Sequence, residues 1–107
     1  MALQCEYRDG ELTVHLTGEL DHHTAQKIRE EADGMAERLV PRRMRLDFAG
    51  VSFMDSSGVG LVMGRYRLMQ SLGGRLTVCG MNARIGAMMR LAGLDRLDIW
   101  ETQKRGA

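Results

Sequence analysis

Cysteines are scarce in this sequence, and their spacing excludes two common kinds of small protein. The 107 residues contain two cysteines, Cys5 and Cys79, which lack CxxC spacing and have no histidine neighbour in metal-ligand register. This spacing argues against a disulfide framework and against a structural zinc site. We therefore expect two buried free thiols and no bound metal.

Excess charge and long apolar runs are also missing. Lys and Arg number 15 against 14 for Asp and Glu, so the chain lacks the basic surface that usually marks a nucleic-acid-binding protein. No apolar run approaches the roughly 20 residues that span a bilayer, and no basic segment with an apolar stretch opens the chain. We expect a cytoplasmic protein that binds neither nucleic acid nor membrane.

Hydrophobic residues make up 44% of the chain, which predicts one domain over residues 1–107 with a core of its own. Residues 3–16 alternate apolar and polar side chains on both sides of Asp9-Gly10, which predicts a hairpin of two strands. An amphipathic helix follows, with Asp21 or Thr24 as its cap and Pro41 after its end.

The remaining pattern predicts three further strands and two further helices. The strands are expected at 44–48, 76–79 and 97–100, and the helices at 56–72 and 83–91. The order β-β-α-β-α-β-α-β implies βαβ units, and hence an α/β fold with a single mixed, mostly parallel sheet. Because these strands mix apolar and polar residues, we expect helices on one face of the sheet only.

The stretch "VSFMDSSGVG" at 51–60 places a polar cluster where the third strand turns into the second helix. Asp and Ser are preferred helix caps, so a plain cap is one interpretation of Asp55, Ser56 and Ser57. A helix N-terminus also presents unpaired N–H groups and a positive dipole end, which suit an anion such as phosphate. The cluster is therefore also a candidate chemical site.

Catalysis by this cluster is poorly supported. A nucleophile elbow needs G-x-S-x-G, whereas bulky residues precede Ser56. A base would have to come from His15, which alternates within a strand, or from the His22-His23 pair at the start of the first helix. A phosphate-binding P-loop needs a lysine in the turn, and there is none. We expect neither enzymatic activity nor a cofactor.

Helical phase divides the second helix into two apolar stripes. The stripe assigned to the core comprises Val59, Val62, Met63, Tyr66 and Met69. The other stripe contains Leu61 and lies beside Ser57 and Arg65, with Gly60 and Gly64 on one flank. This second stripe either contacts a neighbouring helix or allows a partner to approach closely, with Leu61 and Arg65 supplying contact area. Phase alone does not choose between Ser56 and Ser57 as the reactive serine.

Three segments together resemble the anti-sigma factor antagonists of the STAS domain family, most closely those of the sporulation type. They are "LTGELDHHTA" at 16–25, "SFMDSSGVGLVMGRY" at 52–66 and "GGRLTVCG" at 73–80. The resemblance covers nearly all of the chain, and the STAS fold has the element order predicted above.

The resemblance implies a partner switch. The unphosphorylated antagonist binds an anti-sigma factor that is also a GHKL-type, ATP-using serine kinase, and the sigma factor is released. The kinase phosphorylates the first serine of the DSSG motif, here Ser56, and a PP2C-type phosphatase restores it. The aspartate after "GEL" corresponds to Asp21. The expected partner-binding residues are Asp21, Asp55, Ser56, Ser57, Gly60, Leu61, Gly64 and Arg65.

Two further expectations remain open. A STAS module of a general-stress pathway, or of another phospho-regulated scaffold, is the alternative to control of sporulation transcription. Sporulation-type members also carry a helix after the last strand, for which 101–107 is short and polar. Leu94, Leu97 and Trp100 are therefore either exposed, which promotes self-association, or covered by the third helix and the sheet.

Overall fold

Four strands and three α-helices alternate along the chain in the computed structural model, which describes residues 2–101. The strands are β1 (Ala2–Arg8), β2 (Glu11–Leu20), β3 (Arg43–Met54) and β4 (Arg75–Cys79). The helices are α1 (His22–Leu39), α2 (Ser56–Ser71) and α3 (Ala83–Leu91), and a 3-10 helix, Leu94–Arg96, follows α3. The predicted order is confirmed as far as α3.

The four strands form one mixed sheet in the order β1-β2-β3-β4. β1 and β2 pair antiparallel across Asp9 and Gly10, whose φ angles of 49° and 81° are those of a tight hairpin turn. β2, β3 and β4 are parallel, and the ends of β2 and β3 are in register at Leu20 and Met54. The carboxyl ends of these two central strands therefore lie side by side.

The core lies between the sheet and the helices. Alternate residues of the three parallel strands face it and are buried, namely Leu12, Val14 and Leu16 of β2, Met44, Leu46 and Phe48 of β3, and Leu76 and Val78 of β4. Ile28 and Ala32 of α1, and Val62 and Met69 of α2, are fully buried against them. The expected single helix-covered face is confirmed.

Charged side chains occupy the other face of the sheet. Nδ1 of His15 lies 2.8 Å from Oδ2 of Asp47, and its Nε2 lies 2.9 Å from Oε1 of Glu6. Further along the same face, the guanidinium groups of Arg43 and Arg45 each lie 2.8 Å from Oε2 of Glu101. These pairs explain why the strands alternate apolar with charged residues.

The predicted final strand at 97–100 is wrong. Trp100 forms an isolated parallel bridge with Val78. The N–H of Val78 donates to the carbonyl of Ile99 over 2.7 Å, and the N–H of Glu101 donates to the carbonyl of Val78 over 3.0 Å. The apolar spacing was read as a strand, but the 3-10 turn ends at Leu97 and leaves only this short contact with β4.

The apolar residues near the end of the described chain are covered by α3 and the sheet. Leu94 is buried, while Leu97 and Trp100 are half-buried. The indole N–H of Trp100 donates to the carbonyl of Leu94 over 3.0 Å, and the Arg90 guanidinium lies 5.7 Å from the Trp100 ring centroid. The expectation that α3 and the sheet cover this surface is therefore confirmed for Leu94. It holds in part for Leu97 and Trp100.

The two cysteines are free but only half-buried, which corrects the expectation of buried thiols. Cys5 pairs with Val14 on the helix-covered face, whereas Cys79 pairs with Asp47 on the charged face. Burial raises the pKa of both thiols, that of Cys79 to about 11. None of the helices within residues 2–101 is long and apolar enough to cross a membrane.

Candidate functional site

The polar cluster begins α2, as its residue types predict. Asp55 is the N-cap, in extended conformation, and its Oδ1 accepts a hydrogen bond from the N–H of Ser57 over 2.8 Å. Ser56 is therefore the first residue of the helix. Its position at the positive end of the helix dipole is one that favours an anion.

A second helix begins next to the first. The N–H of Asp55 donates to the carbonyl of Leu20 over 3.2 Å, which joins the end of β3 to the end of β2. Asp21 then caps α1: its Oδ1 accepts from the N–H of Thr24, and the Thr24 hydroxyl oxygen accepts from the N–H of Asp21. The hydrogen bond from the Thr24 N–H lowers the pKa of Asp21. The structure thus brings Asp21 and Asp55 to the same end of the sheet.

The two serines of the cluster differ in exposure. Ser56 is exposed, whereas Ser57 is half-buried and its N–H is held by Asp55. Ser57 also lines a groove that it shares with residues of α1. Of the two hydroxyl groups, that of Ser56 is therefore the more accessible to an incoming enzyme.

An open groove runs between α1 and α2 from this end of the molecule. We call it the α1–α2 groove; its lining residues are His22, Ala25, Gln26 and Arg29 of α1 and Ser57, Gly60, Leu61, Gly64 and Arg65 of α2. The structure therefore gathers five of the eight predicted partner-binding residues in one groove. The other three, Asp21, Asp55 and Ser56, lie at the helix starts beside it.

The glycines of α2 fall into two kinds. A Cβ at Gly58 would collide with the side chain of Met54, so internal packing requires glycine there. Apart from the backbone of α2 itself, a Cβ at Gly60 or Gly64 would meet no atom of residues 2–101 within 4 Å. Glycine in a helix interior costs about 1 kcal/mol relative to alanine. The fold of this chain therefore gives no packing reason for Gly60 and Gly64.

The predicted core face of α2 is confirmed for Val62 and Met69, which are fully buried, but the buried side of the helix also extends toward α1. Leu61 is 4% exposed and Arg65 is 5% exposed, whereas Val59, Met63 and Tyr66, which were assigned to the core, are only half-buried. The reason is that α2 packs against α1 as well as against the sheet. Of the two alternatives for the second stripe, contact with a neighbouring helix is therefore confirmed: Leu61 and Arg65 are buried against α1 and do not project as contact area for a partner.

Arg65 is buried because it forms an ion pair with Asp33 of α1. Its Nε lies 2.7 Å from Oδ1 of Asp33, and its Nη2 donates to Oδ2 over 3.3 Å. Burial lowers the pKa of Arg65 and raises that of Asp33, in both cases against the attraction between the two charges. This pair joins the two helices that form the groove.

Sequence reasoning missed the residues that α1 contributes to the groove. His22, Gln26 and Arg29 are exposed, at spacings of four and three, on the side of α1 that faces α2. That spacing is a readable signal of a shared helix face. Nothing in the sequence indicated that Asp33 would pair with Arg65, because the partner comes from another helix.

The geometry supplies an accessible hydroxyl at a helix start and a groove beside it, but no evident catalytic group. In the part of the chain that the structure describes, no hydrogen bond joins Ser56 or Ser57 to a histidine ring. His15 is instead paired with Glu6 and Asp47 on the charged face. The described residues also contain no group of three His, Cys, Asp or Glu side chains placed to hold a metal ion.

The fold and these motifs match a known family. The STAS domain family model matches residues 2–105, and the chain therefore belongs to the STAS domain family. It is 35% identical over 97 residues to an anti-sigma F factor antagonist of Paenibacillus polymyxa, covering 91% of this chain and 83% of the relative. Within the family, its similarity is to anti-sigma factor antagonists.

More distant relatives and solved structures agree with this placement. The chain is 29% identical over 92 residues to the anti-sigma-B factor antagonist of Bacillus subtilis strain 168, covering 85% of this chain and 83% of that protein. The structure of unphosphorylated SpoIIAA, an anti-sigma factor antagonist, superimposes with a TM-score of 0.82 at 31% identity, covering 95% of this chain and 90% of that one. The phosphorylated form of SpoIIAA, a Bacillus cell fate determinant, gives a TM-score of 0.75 at the same identity, covering 95% and 93%.

Proposed function

We propose that this protein, when unphosphorylated, binds an anti-sigma factor at the α1–α2 groove and at the adjoining helix starts, and so releases a sigma factor. The observation that carries the proposal is the pair of open glycines, Gly60 and Gly64, beside an exposed Ser56. Both glycines destabilise the helix relative to alanine, and packing within the described part of the chain does not require them. Their lack of side chains does allow the backbone of another protein to approach α2 closely.

Surface features around the groove also fit a protein partner. Phe53 is 47% exposed one residue before the end of β3, next to the helix starts. Aromatic side chains are enriched at the centres of protein interfaces. Arg29 and His22 add exposed donors on the α1 side of the groove.

Phosphorylation of Ser56 is the proposed off-switch. A phosphate adds about −1.5 to −2 charges beside the caps Asp55 and Asp21. The amides at the start of α2 stabilise that charge by about 0.3–1 kcal/mol at an exposed position. Burying an unpaired dianion at an interface costs several kcal/mol, so partner binding is lost while the fold is kept.

The bound anti-sigma factor is proposed to be the kinase itself, a GHKL-type enzyme that uses ATP, and a PP2C-type phosphatase is proposed to restore Ser56. This chain is then a substrate and a regulator rather than an enzyme. The similarity to SpoIIAA, which is known in phosphorylated and unphosphorylated forms, supports the modification step.

The controlled process is proposed to be sporulation-specific transcription. The 35% identity to an anti-sigma F factor antagonist favours this over a general-stress pathway. The general-stress role is the second candidate, because an anti-sigma-B factor antagonist is also similar at 29% identity.

A pull-down from cytosol of the source cells tests the proposal. The bait is the unmodified protein, and the same bait carrying Ser56→Asp serves as the mimic of the phosphorylated state. We expect the unmodified bait to retain an ATP-binding kinase and the Ser56→Asp bait to lose it. Incubation with that kinase and ATP, followed by phosphopeptide mapping, should place the label on Ser56. Label confined to Ser57 would contradict the assignment of the site.

A further inference from the structure

At its outer edge, β1 carries backbone N–H and C=O groups that do not pair with β2. The geometry of the hairpin determines which residues they belong to. β1 is the first strand in the sheet order, and within residues 2–101 it pairs with β2 only. In a two-residue hairpin turn the flanking residues, here Arg8 and Glu11, exchange both backbone hydrogen bonds with each other. Counting back along the strand, Leu3, Cys5 and Tyr7 direct their N–H and C=O groups to the outer edge. A second strand can therefore add there.

A second groove, between β1 and α1, opens at this edge. We call it the edge groove; it is lined by Leu3 and Cys5 of β1 and by Glu30, Glu31, Gly34, Met35 and Arg38 of α1. Cys5 lines this groove together with Glu30, Glu31 and Gly34, and therefore lies across from the middle of α1. Tyr7 is 45% exposed on the same face of the strand.

Of the three charged residues of the edge groove, Glu30 and Arg38 lie at equal spacing on either side of Gly34, and Glu31 is a second acidic residue. Glu30, Gly34 and Arg38 are spaced by four residues and therefore share one side of α1. Among the described residues outside the helix backbone, a Cβ at Gly34 would meet only the Arg38 guanidinium, at 3.9 Å, so packing there does not require glycine. One side of α1 thus carries an acidic residue, then a glycine without a side chain, and then a basic residue.

We propose that two copies of this chain associate by pairing their β1 strands antiparallel, with Cys5 facing Cys5 across a twofold axis. In this register Leu3 lies opposite Tyr7 of the second copy, and Gln4 lies opposite Glu6. The two α1 helices then run antiparallel on the same side of an eight-stranded sheet. Glu30 of each copy faces Arg38 of the other, and Gly34 lies nearest the axis.

A second copy fits this edge because the pattern is complementary to itself. Rotation about an axis at Cys5 and Gly34 exchanges the negative and positive ends of α1, so attraction occurs twice in one interface. The proposed interface contains no residue of the α1–α2 groove. Partner binding at that groove and pairing at β1 can therefore occur together, and each can fail without the other.

Charge exchange tests the pairing. The mass of wild-type protein is measured by sedimentation equilibrium, with Glu30→Arg, Arg38→Glu and the double variant beside it. We expect wild type to reach twice the monomer mass of 12.0 kDa with rising concentration. Each single variant should weaken the dimer by about tenfold, because it places like charges together at two symmetric points. The double variant should recover wild-type association.

Cysteine cross-linking supplies an independent readout. Opposed residues that exchange hydrogen bonds have Cα atoms about 5.5 Å apart, within the range that a disulfide spans. With Cys79→Ser, an added oxidant that removes two electrons and two protons from the paired thiols should yield a covalent dimer. Cys5→Ser should yield none. A monomer at every concentration overturns the proposal, as does a dimer that persists equally in both single charge variants or one that cross-links only through Cys79.

Discussion

Arg65 of α2 and Asp33 of α1 form an ion pair of 2.7 Å in the seam between the two helices that carry the proposed partner site. The Arg65 side chain is 6% exposed and that of Asp33 is 29% exposed. Gly60 and Gly64 line the α1–α2 groove beside this pair, with free space where a Cβ would lie. The first residues of α1 and α2 lie at one end of the same groove. The pair therefore connects the stability of the helix layer to the shape of the docking surface.

Removing one partner of this ion pair should destabilise the protein. We expect Asp33→Asn to lower the free energy of unfolding by about 3 kcal/mol, the low end for buried pairs, because Asp33 is partly solvated. Urea titration followed by circular dichroism measures the loss. Arg67→Leu, at an exposed arginine two residues after Arg65 on α2, is the control and should change stability by less than about 0.5 kcal/mol. Equal effects of the two variants would show that the pair is not structurally important.

Filling the open glycines should separate stability from function. Gly60→Ala is expected to raise the free energy of unfolding by up to about 1 kcal/mol, because alanine is the better helix residue and nothing blocks its Cβ. The same variant should bind the anti-sigma factor more weakly. Gly58→Ala is the contrast: its Cβ would collide with Met54, so stability should fall. A Gly60→Ala protein with unchanged affinity would remove the main support for docking at this helix.

The charged face of the sheet should make stability depend on pH through His15. Its hydrogen bonds to Glu6 and then to Asp47 raise the pKa of His15 above its ordinary value of 6.5. A raised pKa means that the folded state binds the proton more tightly than the unfolded state. This contribution is complete below the unfolded pKa and is lost as pH rises through the folded pKa.

Unfolding at a series of pH values above 6.5 measures this contribution. Wild type should lose stability with rising pH in this window, and His15→Gln should lack that decline. His23→Gln, at an exposed position on α1, is the control and should keep it. A decline of the same size in His15→Gln would assign it to another group.

The end of α1 should accept a stabilising substitution. Val40 caps the helix with φ 44° and ψ 60°, a left-handed conformation that β-branched residues rarely adopt. Its side chain is 54% exposed, so little packing is lost on replacement. We expect Val40→Asn to raise the free energy of unfolding by about 0.5–1 kcal/mol, measured by thermal or urea unfolding. Val40→Ala removes the β-branch but lacks the amide that lets asparagine adopt the left-handed conformation, and it should give a smaller gain.

Much of this fold could be predicted because its signals are local. The Asp-Gly turn, the two aspartate caps and the alternation of β2 and β3 depend on neighbouring residues, and all of them are present in the structure. The junction at Asp55 and Ser56 was recognisable for the same reason. Residue types that satisfy the first N–H groups of a helix are few.

The errors concern contacts between distant segments. The burial of Leu61 and Arg65 depends on α1, and helical phase alone left open whether their stripe meets a neighbouring helix or a partner protein. Residues 97–100 have the apolar spacing of a strand. Whether such a segment pairs along its whole length depends on its position beside β4 after the 3-10 turn, and among the described residues only one bridge forms here. Such arrangements are set by packing and not by the local pattern.

Measuring how a negative charge at position 56 changes the affinity for the anti-sigma factor is the most direct test of the partner switch. Calorimetric titration of the captured anti-sigma factor with wild type, Ser56→Ala and Ser56→Asp measures affinity without depending on the kinase reaction. We expect Ser56→Ala to bind as wild type does and Ser56→Asp to bind at least tenfold more weakly, a difference of about 1.4 kcal/mol. Gln70→Glu, which adds a negative charge at an exposed position near the other end of α2, should bind normally. Equal binding by Ser56→Ala and Ser56→Asp would contradict the proposed electrostatic switch.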